Sequence, residues 1–214
     1  MPGDGVYRTV VEDTLAELRA AGATVIEIDM PELDEAGERY FDGQIVQPEF
    51  LGFLERDLPE WIPLLHPIAG KRLGAAGDVR ALDYLAALHE RRRLSAVVHA
   101  RLASERIDLL ATPTLPIAPP PLAALSRLGA YRDANRLMLS GTCPASMLDL
   151  CAISLPAGLD GEGMPAGLQL MGRAGADLAV LAQAAAVESV LGTHLTRLGT
   201  PPRVGASSSA ELRE

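Results

Sequence analysis

Two short apolar runs in the C-terminal part of the sequence decide the fold, Cys151-Ala-Ile-Ser-Leu-Pro156 and Ala166-Gly-Leu-Gln-Leu-Met171. Both have the length and aliphatic content of β-strands. The nine residues between them include three glycines and Asp160, the residue types that favour tight turns. The sequence therefore predicts an antiparallel strand pair at this position.

Apolar residues at helical spacing surround this strand pair. They predict four helices, over Val6–Ala21, Ala81–Arg106, Tyr131–Leu139 and Leu178–Leu191. Gly22 and Gly192 follow two of them as natural C-terminal stops. The longest helix is expected to carry one apolar stripe, formed by Leu82, Leu85, Leu88, Leu94, Val97, Val98 and Leu102. Residues 33–66 are also predicted to be mostly helical, with breaks at Pro48, Pro59 and Pro63.

Two further strands are predicted, at Ala23–Asp29 and Ile107–Thr112, with Pro113 ending the second. A helix, a glycine and a strand in succession form an αβ unit, so we expect the α/β class, with a mixed sheet flanked by helices. The prolines between positions 113 and 121 form a rigid connection inside one domain, because apolar sequence continues on both sides. Residues 1–200 are predicted to form that domain, and 201–214 a disordered tail.

Composition excludes several classes of protein. The sequence has 28 acidic residues and 19 Lys and Arg, which give a net charge of −9. This negative charge argues against binding to nucleic acid. The N-terminus lacks the basic start and apolar stretch of a signal peptide, and no apolar run is long enough for a membrane span. With only two cysteines, a disulfide framework is not expected. A cytoplasmic protein is the prediction.

Motifs for common chemistry are missing. The four histidines are scattered, and Cys143 and Cys151 do not form a CxxC pair, so we expect no metal and no cofactor. No phosphate-binding loop and no GxSxG nucleophile elbow are present. Ser154 alternates into an apolar strand and is interpreted as buried and structural. Lys71, the only lysine, is interpreted as solvated. The residues alone describe an α/β domain without a complete catalytic set.

Five sequence blocks in order over residues 6–192 resemble the amidase signature family. Cys151–Gly158 is similar to P-A-I-S-V-P-A-G, Gly163–Arg173 to G-L-P-V-G-L-Q-L-I-G-R, and Asp108–Thr114 to D-v-l-l-x-P-T. The two remaining blocks are Leu18–Pro31, with L-x-x-x-G-A-x-V, and the helix with Asp83-Tyr84-Leu85 and Arg92. Within them, Gly167 and Gly172 are expected where the backbone approaches a neighbour closely, and Gln169 where buried backbone groups need a partner.

The resemblance implies hydrolysis of a carboxamide C–N bond to carboxylate and ammonia. Family members use a Ser–cis-Ser–Lys triad, whose residues lie upstream of every block matched here. This sequence has no G-G-S-S-G stretch, and Lys71 stands in the wrong block. Residues 1–214 therefore resemble the C-terminal portion of an amidase, and we expect the chain alone to be inactive, with no catalytic residue of its own.

By the same resemblance, the turn Thr112-Pro113-Thr114, together with Ser146 and Asp149, is expected to line the pocket for a small-molecule amide. Leu139 stands where members that use glutamine place an acidic residue, which favours a general amidase. An alternative is a non-catalytic remnant, or the partner-binding half of a split amidase or amidotransferase, with the catalytic half on a separate chain. A third is a small-molecule-binding α/β domain unrelated to amidases.

Overall fold

The computed structural model describes residues 5–201 of the chain. Nine α-helices are described within that range: α1 Val6–Ala20, α2 Pro31–Phe41, α3 Val46–Asp57, α4 Pro67–Gly74, α5 Ala81–Ser104, α6 Leu128–Leu139, α7 Cys143–Met147, α8 Asp177–Leu191 and α9 His194–Leu198. The strands are β1 Leu110–Pro113, β2 Cys151–Leu159 and β3 Pro165–Gly172. Three short 3₁₀ segments cover Pro59–Leu64, Ala75–Asp78 and Leu122–Leu125. The predicted tail at 201–214 lies outside the described residues, except for Pro201.

The three strands form one sheet in the order β1-β3-β2, and both strand pairs in the described range are antiparallel. The hairpin predicted from the two apolar runs is confirmed. β1 is shorter than predicted: it starts at Leu110 and includes Pro113, which lies opposite Leu168. A proline fits there because β1 is an edge strand with one unpaired side.

The four predicted helices are confirmed as α1, α5, α6 and α8. The strand predicted at Ala23–Asp29 is wrong, because this segment is irregular and Ile26 is 60% exposed. A strand needs a neighbour for its backbone hydrogen bonds, and none of the described strands pairs with this segment.

Residues 33–66 are largely helical, as predicted, although one break is misplaced. Pro48 lies in the first turn of α3 rather than at a break. The first N–H groups of a helix have no partner within it, so proline costs little at this position.

Helices pack on both faces of the sheet, so β3 is buried on both sides. One core cluster joins α5 to the sheet and the α7 region through Leu94, Val98, Met171 and Leu148. The other joins α1 and α8 to the opposite face through Tyr7, Val11, Leu168, Leu170 and Ala184. The layered α/β architecture is confirmed, but the sheet of the described residues is antiparallel and not mixed as predicted.

Large apolar side chains remain on the surface of the described chain. In the predicted stripe of α5, Leu94, Val98 and Leu102 are buried, whereas Leu82 is 66% exposed and Leu85 58%. α8 likewise turns Leu178 outward, 83% exposed. Val97, which also belongs to the stripe, is 40% exposed, so only part of the C-terminal half of the predicted stripe is buried.

By length and composition alone, Asp177–Leu198 passes a test for a membrane span, which was not expected from the sequence. Gly192, at φ 88°, ends α8 and separates it from α9. α8 by itself is about 22 Å long, shorter than the roughly 30 Å hydrocarbon core of a bilayer. One side of α8 also packs against the sheet, where Val180 and Ala184 are buried.

Candidate functional site

A row of polar side chains crosses one face of the sheet. Gln169 on β3 lies opposite Thr112 on β1 and opposite Ser154 on β2. Thr114 follows β1 two residues after Thr112, on the same face, and its N–H donates to the carbonyl oxygen of Gly167 at 2.8 Å. We call Thr112, Thr114, Ser154 and Gln169 the polar row.

The hydroxyls of Thr114 and Ser154 lie 2.5 Å apart, Oγ1 to Oγ. Each hydroxyl has one proton, and one of the two protons is used in the bond between them. The remaining proton and the free lone pairs can serve a ligand. The pair therefore offers one donor and several acceptors at the end of β1.

Two glycines allow the chain to come this close. A Cβ on Gly167 would lie 2.7 Å from both hydroxyl oxygens, and a Cβ on Gly141 would lie 2.4 Å from the carbonyl oxygen of Thr114. Gly172 has the same role against α8, where a Cβ would lie 2.4 Å from Val180 Cγ2. The close approach predicted for Gly167 and Gly172 is confirmed.

Gln169 connects the polar row to the loop between α6 and α7 through a hydrogen bond. Its side chain is 4% exposed, and its Nε2 donates to the carbonyl oxygen of Gly141 at 2.9 Å and approaches Thr112 Oγ1 at 3.4 Å. The prediction that Gln169 satisfies a buried backbone group is confirmed. This bond fixes the loop after α6 against β3.

Ser154 is exposed, so the prediction that it is buried is wrong. β2 is the other edge strand, and its Ala152 and Ser154 face solvent while Ile153 packs against the core. Thr114 is the only hydrogen-bond partner of the Ser154 hydroxyl among the described residues, and no base contacts it. Ser154 is therefore placed to contact a ligand but not to act as an activated nucleophile.

A small cavity of about 250 Å³ opens beside the hydroxyl pair. Thr114, Ser154 and Gly167 form its polar side, and Leu115 and Pro156 are among its apolar residues. The cavity thus combines an apolar surface with a hydroxyl pair, the usual composition of a small-molecule site.

Ser146 and Asp149 lie away from the polar row, at the end of α7 and in the turn that leads from it to β2. Arg91 on α5 forms an ion pair with Asp149 and donates to the Ser146 carbonyl oxygen at 3.3 Å. Ser95 also donates to Asp149, Oγ to Oδ2 at 3.3 Å. These bonds hold the turn against α5. Of the five predicted pocket residues, Thr114 lines the cavity beside the hydroxyl pair, whereas Thr112, Pro113, Ser146 and Asp149 are not among its lining residues.

Lys71 on α4 is exposed and lines a second cavity, in whose lining there is no serine. No Ser–Lys pair is therefore formed at either cavity of the described chain. Pocket roles for all five residues remain predictions.

Sequence and structure comparisons now place the chain among known proteins. A family model described as Amidase matches residues 3–181. The 2-amino-5-chloromuconic acid deaminase of Comamonas testosteroni is 32% identical over 198 residues, which cover 92% of this chain and 42% of that protein. A fatty acid amide hydrolase of Medicago truncatula is 32% identical, with 87% of this chain and 31% of that protein covered.

Solved structures agree. A crystal structure described as an amidase is 30% identical with a TM-score of 0.70, over 86% of this chain and 42% of that one. A 6-aminohexanoate cyclic dimer hydrolase shares the fold with a TM-score of 0.74 at 24% identity, over 95% of this chain and 44% of that one. The chain spans less than half the length of these relatives.

Proposed function

The chain belongs to the amidase signature family, and on that premise we propose that it forms the supporting sheet and one wall of a site that hydrolyses a carboxamide to carboxylate and ammonia. The observation that carries this proposal is the polar row at the end of β1. There the hydroxyls of Thr114 and Ser154 are held 2.5 Å apart beside a cavity, and Gly167 leaves room for them.

The hydroxyl pair suits a carboxamide, which presents both an acceptor and a donor. The free hydroxyl proton can bind the amide oxygen, and the free lone pairs can accept from the amide nitrogen. Hydrolysis also needs an activated nucleophile and donors for the oxyanion. We propose that these come from a Ser–Lys segment outside the 214 residues, as the family resemblance implies.

A second candidate is supported by the exposed apolar side chains. Leu82 and Leu85 on α5 and Leu178 on α8 are each more than half exposed, the pattern expected of surfaces that another polypeptide covers. A glutamyl-tRNA(Gln) amidotransferase subunit from Rhizorhabdus wittichii is 29% identical over 88% of this chain and 41% of that protein. The second candidate is therefore the partner-binding half of a split amidase or amidotransferase.

The experiment joins residues 1–214 to the part of the Comamonas relative that this chain does not match, and measures ammonia release from a panel of simple carboxamides. Activity is expected in the joined protein and not in either piece alone. Replacing Thr114 with valine and Ser154 with alanine should raise KM, whereas Gly161→Ala, at a position with nothing within 4 Å of the added Cβ, should not. An active joined protein that is indifferent to the double substitution would contradict the role of the polar row.

A further inference from the structure

A second, larger cavity of about 440 Å³ lies between the end of α2, the start of α3, α4 and α6. Its apolar lining residues include Ile68, Val79 and Leu128. Its charged groups are Lys71, Arg132 and Arg136, together with Asp42 and Asp133. We call it the helix-lined cavity.

The helix-lined cavity has three cations and two carboxylates in its lining, a net charge of +1, although the protein as a whole carries a net charge of −9. Of the two carboxylates, Asp42 is already paired with Arg39 at 3.6 Å, and Asp133 forms no ion pair with a described residue. Lys71, Arg132 and Arg136 form no ion pair with any described residue. Three unpaired cations around one concave surface attract an anion.

Arg136 is held in position for this role. Its guanidinium carbon lies 4.5 Å from the centre of the Phe41 ring, a cation–π contact that leaves the edge of the guanidinium available. The planar edge of a guanidinium matches the two oxygens of a carboxylate. An arginine that is oriented before the ligand arrives loses less conformational entropy on binding.

The cavity and the polar row are connected through α6. α6 carries Arg132 and Arg136 and leads directly into Gly141, whose carbonyl oxygen accepts from Gln169. Arg136 precedes Gly141 by five positions, and α6 ends between them at Leu139.

We infer that the helix-lined cavity binds the carboxylate of a small organic acid, with Arg136, Arg132 and Lys71 as its cationic partners. This inference stands apart from the proposed function. Binding of the acid itself requires no catalysis, so it can be tested on the chain as it stands.

The test uses the single lysine. Reductive methylation with ¹³C-formaldehyde labels Lys71 and the terminal amine, which gives two NMR signals, and the Lys71 signal reports on the cavity. Titration with malonate should shift the Lys71 signal saturably, whereas malonamide, its neutral counterpart, should not at the same ionic strength. Shifts of equal size with both compounds, or with malonate and chloride alike, would overturn the inference.

Charge-matched variants complete the test. Arg136→Gln should weaken malonate binding at least tenfold, whereas Arg173→Gln, an exposed arginine outside the cavity, should leave it unchanged. Because Arg136 also packs on Phe41, Arg132→Gln serves as a second variant whose side chain has no ion-pair partner in the described chain, and it should weaken binding severalfold. Equal affinities in all three variants would overturn the inference and leave the amidase proposal untouched.

Discussion

Gly167→Ala should destabilise the protein, because the polar row leaves no room for a side chain there. The added Cβ would lie 2.7 Å from Thr114 Oγ1 and from Ser154 Oγ, and 3.1 Å from Thr114 Cβ. The first two distances are about 0.7 Å short of ordinary contact, so the hydroxyls must separate or β3 must shift.

The magnitude follows from those two consequences. Overpacking of this kind costs about 1–3 kcal/mol, and loss of a hydroxyl hydrogen bond costs about 1 kcal/mol. We expect the free energy of unfolding to fall by about 2 kcal/mol and Tm by about 4–8 °C. Urea unfolding followed by circular dichroism measures the difference, with an unchanged slope as the sign that only stability has changed.

Two comparisons make the test specific. Gly161→Ala adds the same methyl group where nothing lies within 4 Å, and should stay within about 0.5 kcal/mol of the parent. Ser154→Ala removes one of the two clashing oxygens, so its combination with Gly167→Ala should be less destabilising than the sum of the single changes. A Gly167→Ala protein as stable as the Gly161→Ala protein would refute the close packing of Gly167 against the hydroxyls of Thr114 and Ser154.

Three further predictions concern other parts of the fold. Arg197 donates two hydrogen bonds to the Glu17 carboxylate, which lowers the pKa of Glu17. The stability that this pair contributes is therefore fully present above the ordinary pKa near 4.5 and is lost as pH falls through the lowered pKa. In urea unfolding, Glu17→Gln should have a lower free energy of unfolding than the parent at pH 7, and the two values should converge in acid. Burial raises the pKa of the Cys143 thiol to about 11. At pH 8, iodoacetamide should therefore alkylate Cys151 of the native protein well before Cys143, and equal alkylation rates, measured by mass spectrometry, would contradict the burial of Cys143. Asp149 has φ 54°, a backbone conformation that asparagine and glycine adopt readily and that strains β-branched residues. Thermal unfolding should therefore show a larger loss of stability for Asp149→Val than for Asp149→Asn, and the reverse order would contradict the backbone geometry.

The strand pair at the centre of the fold was predictable because its information is local. Turn-forming residues separate two aliphatic runs, and both runs became strands at the expected places. Ala23–Asp29 has similar local content but did not become a strand, because pairing depends on a neighbour that local sequence does not reveal. Exposure of Leu82 and Leu85 was missed for the same reason, since a helix face is buried only where another element covers it.

The candidate site was partly predictable. The family resemblance predicted a pocket role for Thr112 and Thr114, which stays a prediction, and the close approach at Gly167 was predicted from its missing side chain within a strand. Ser154 was misjudged, although a signal was available: Ala152 and Ser154 alternate with larger aliphatic residues, which is the pattern of a strand with one open face. The cavity beside α6 had no signal in the sequence, because it depends on how four separate helices meet.

Labelling by a serine-directed fluorophosphonate, located by mass spectrometry, tests the central claim most directly. We propose that the chain provides a wall of an amidase site but no activated serine, because within residues 5–201 the Ser154 hydroxyl contacts Thr114 and no base. Purified residues 1–214 should remain unlabelled and release no ammonia from carboxamides, while a known serine amidase in the same tube is labelled. A label on Ser154 or any other serine of this chain, together with ammonia release lost on its replacement by alanine, would contradict the claim.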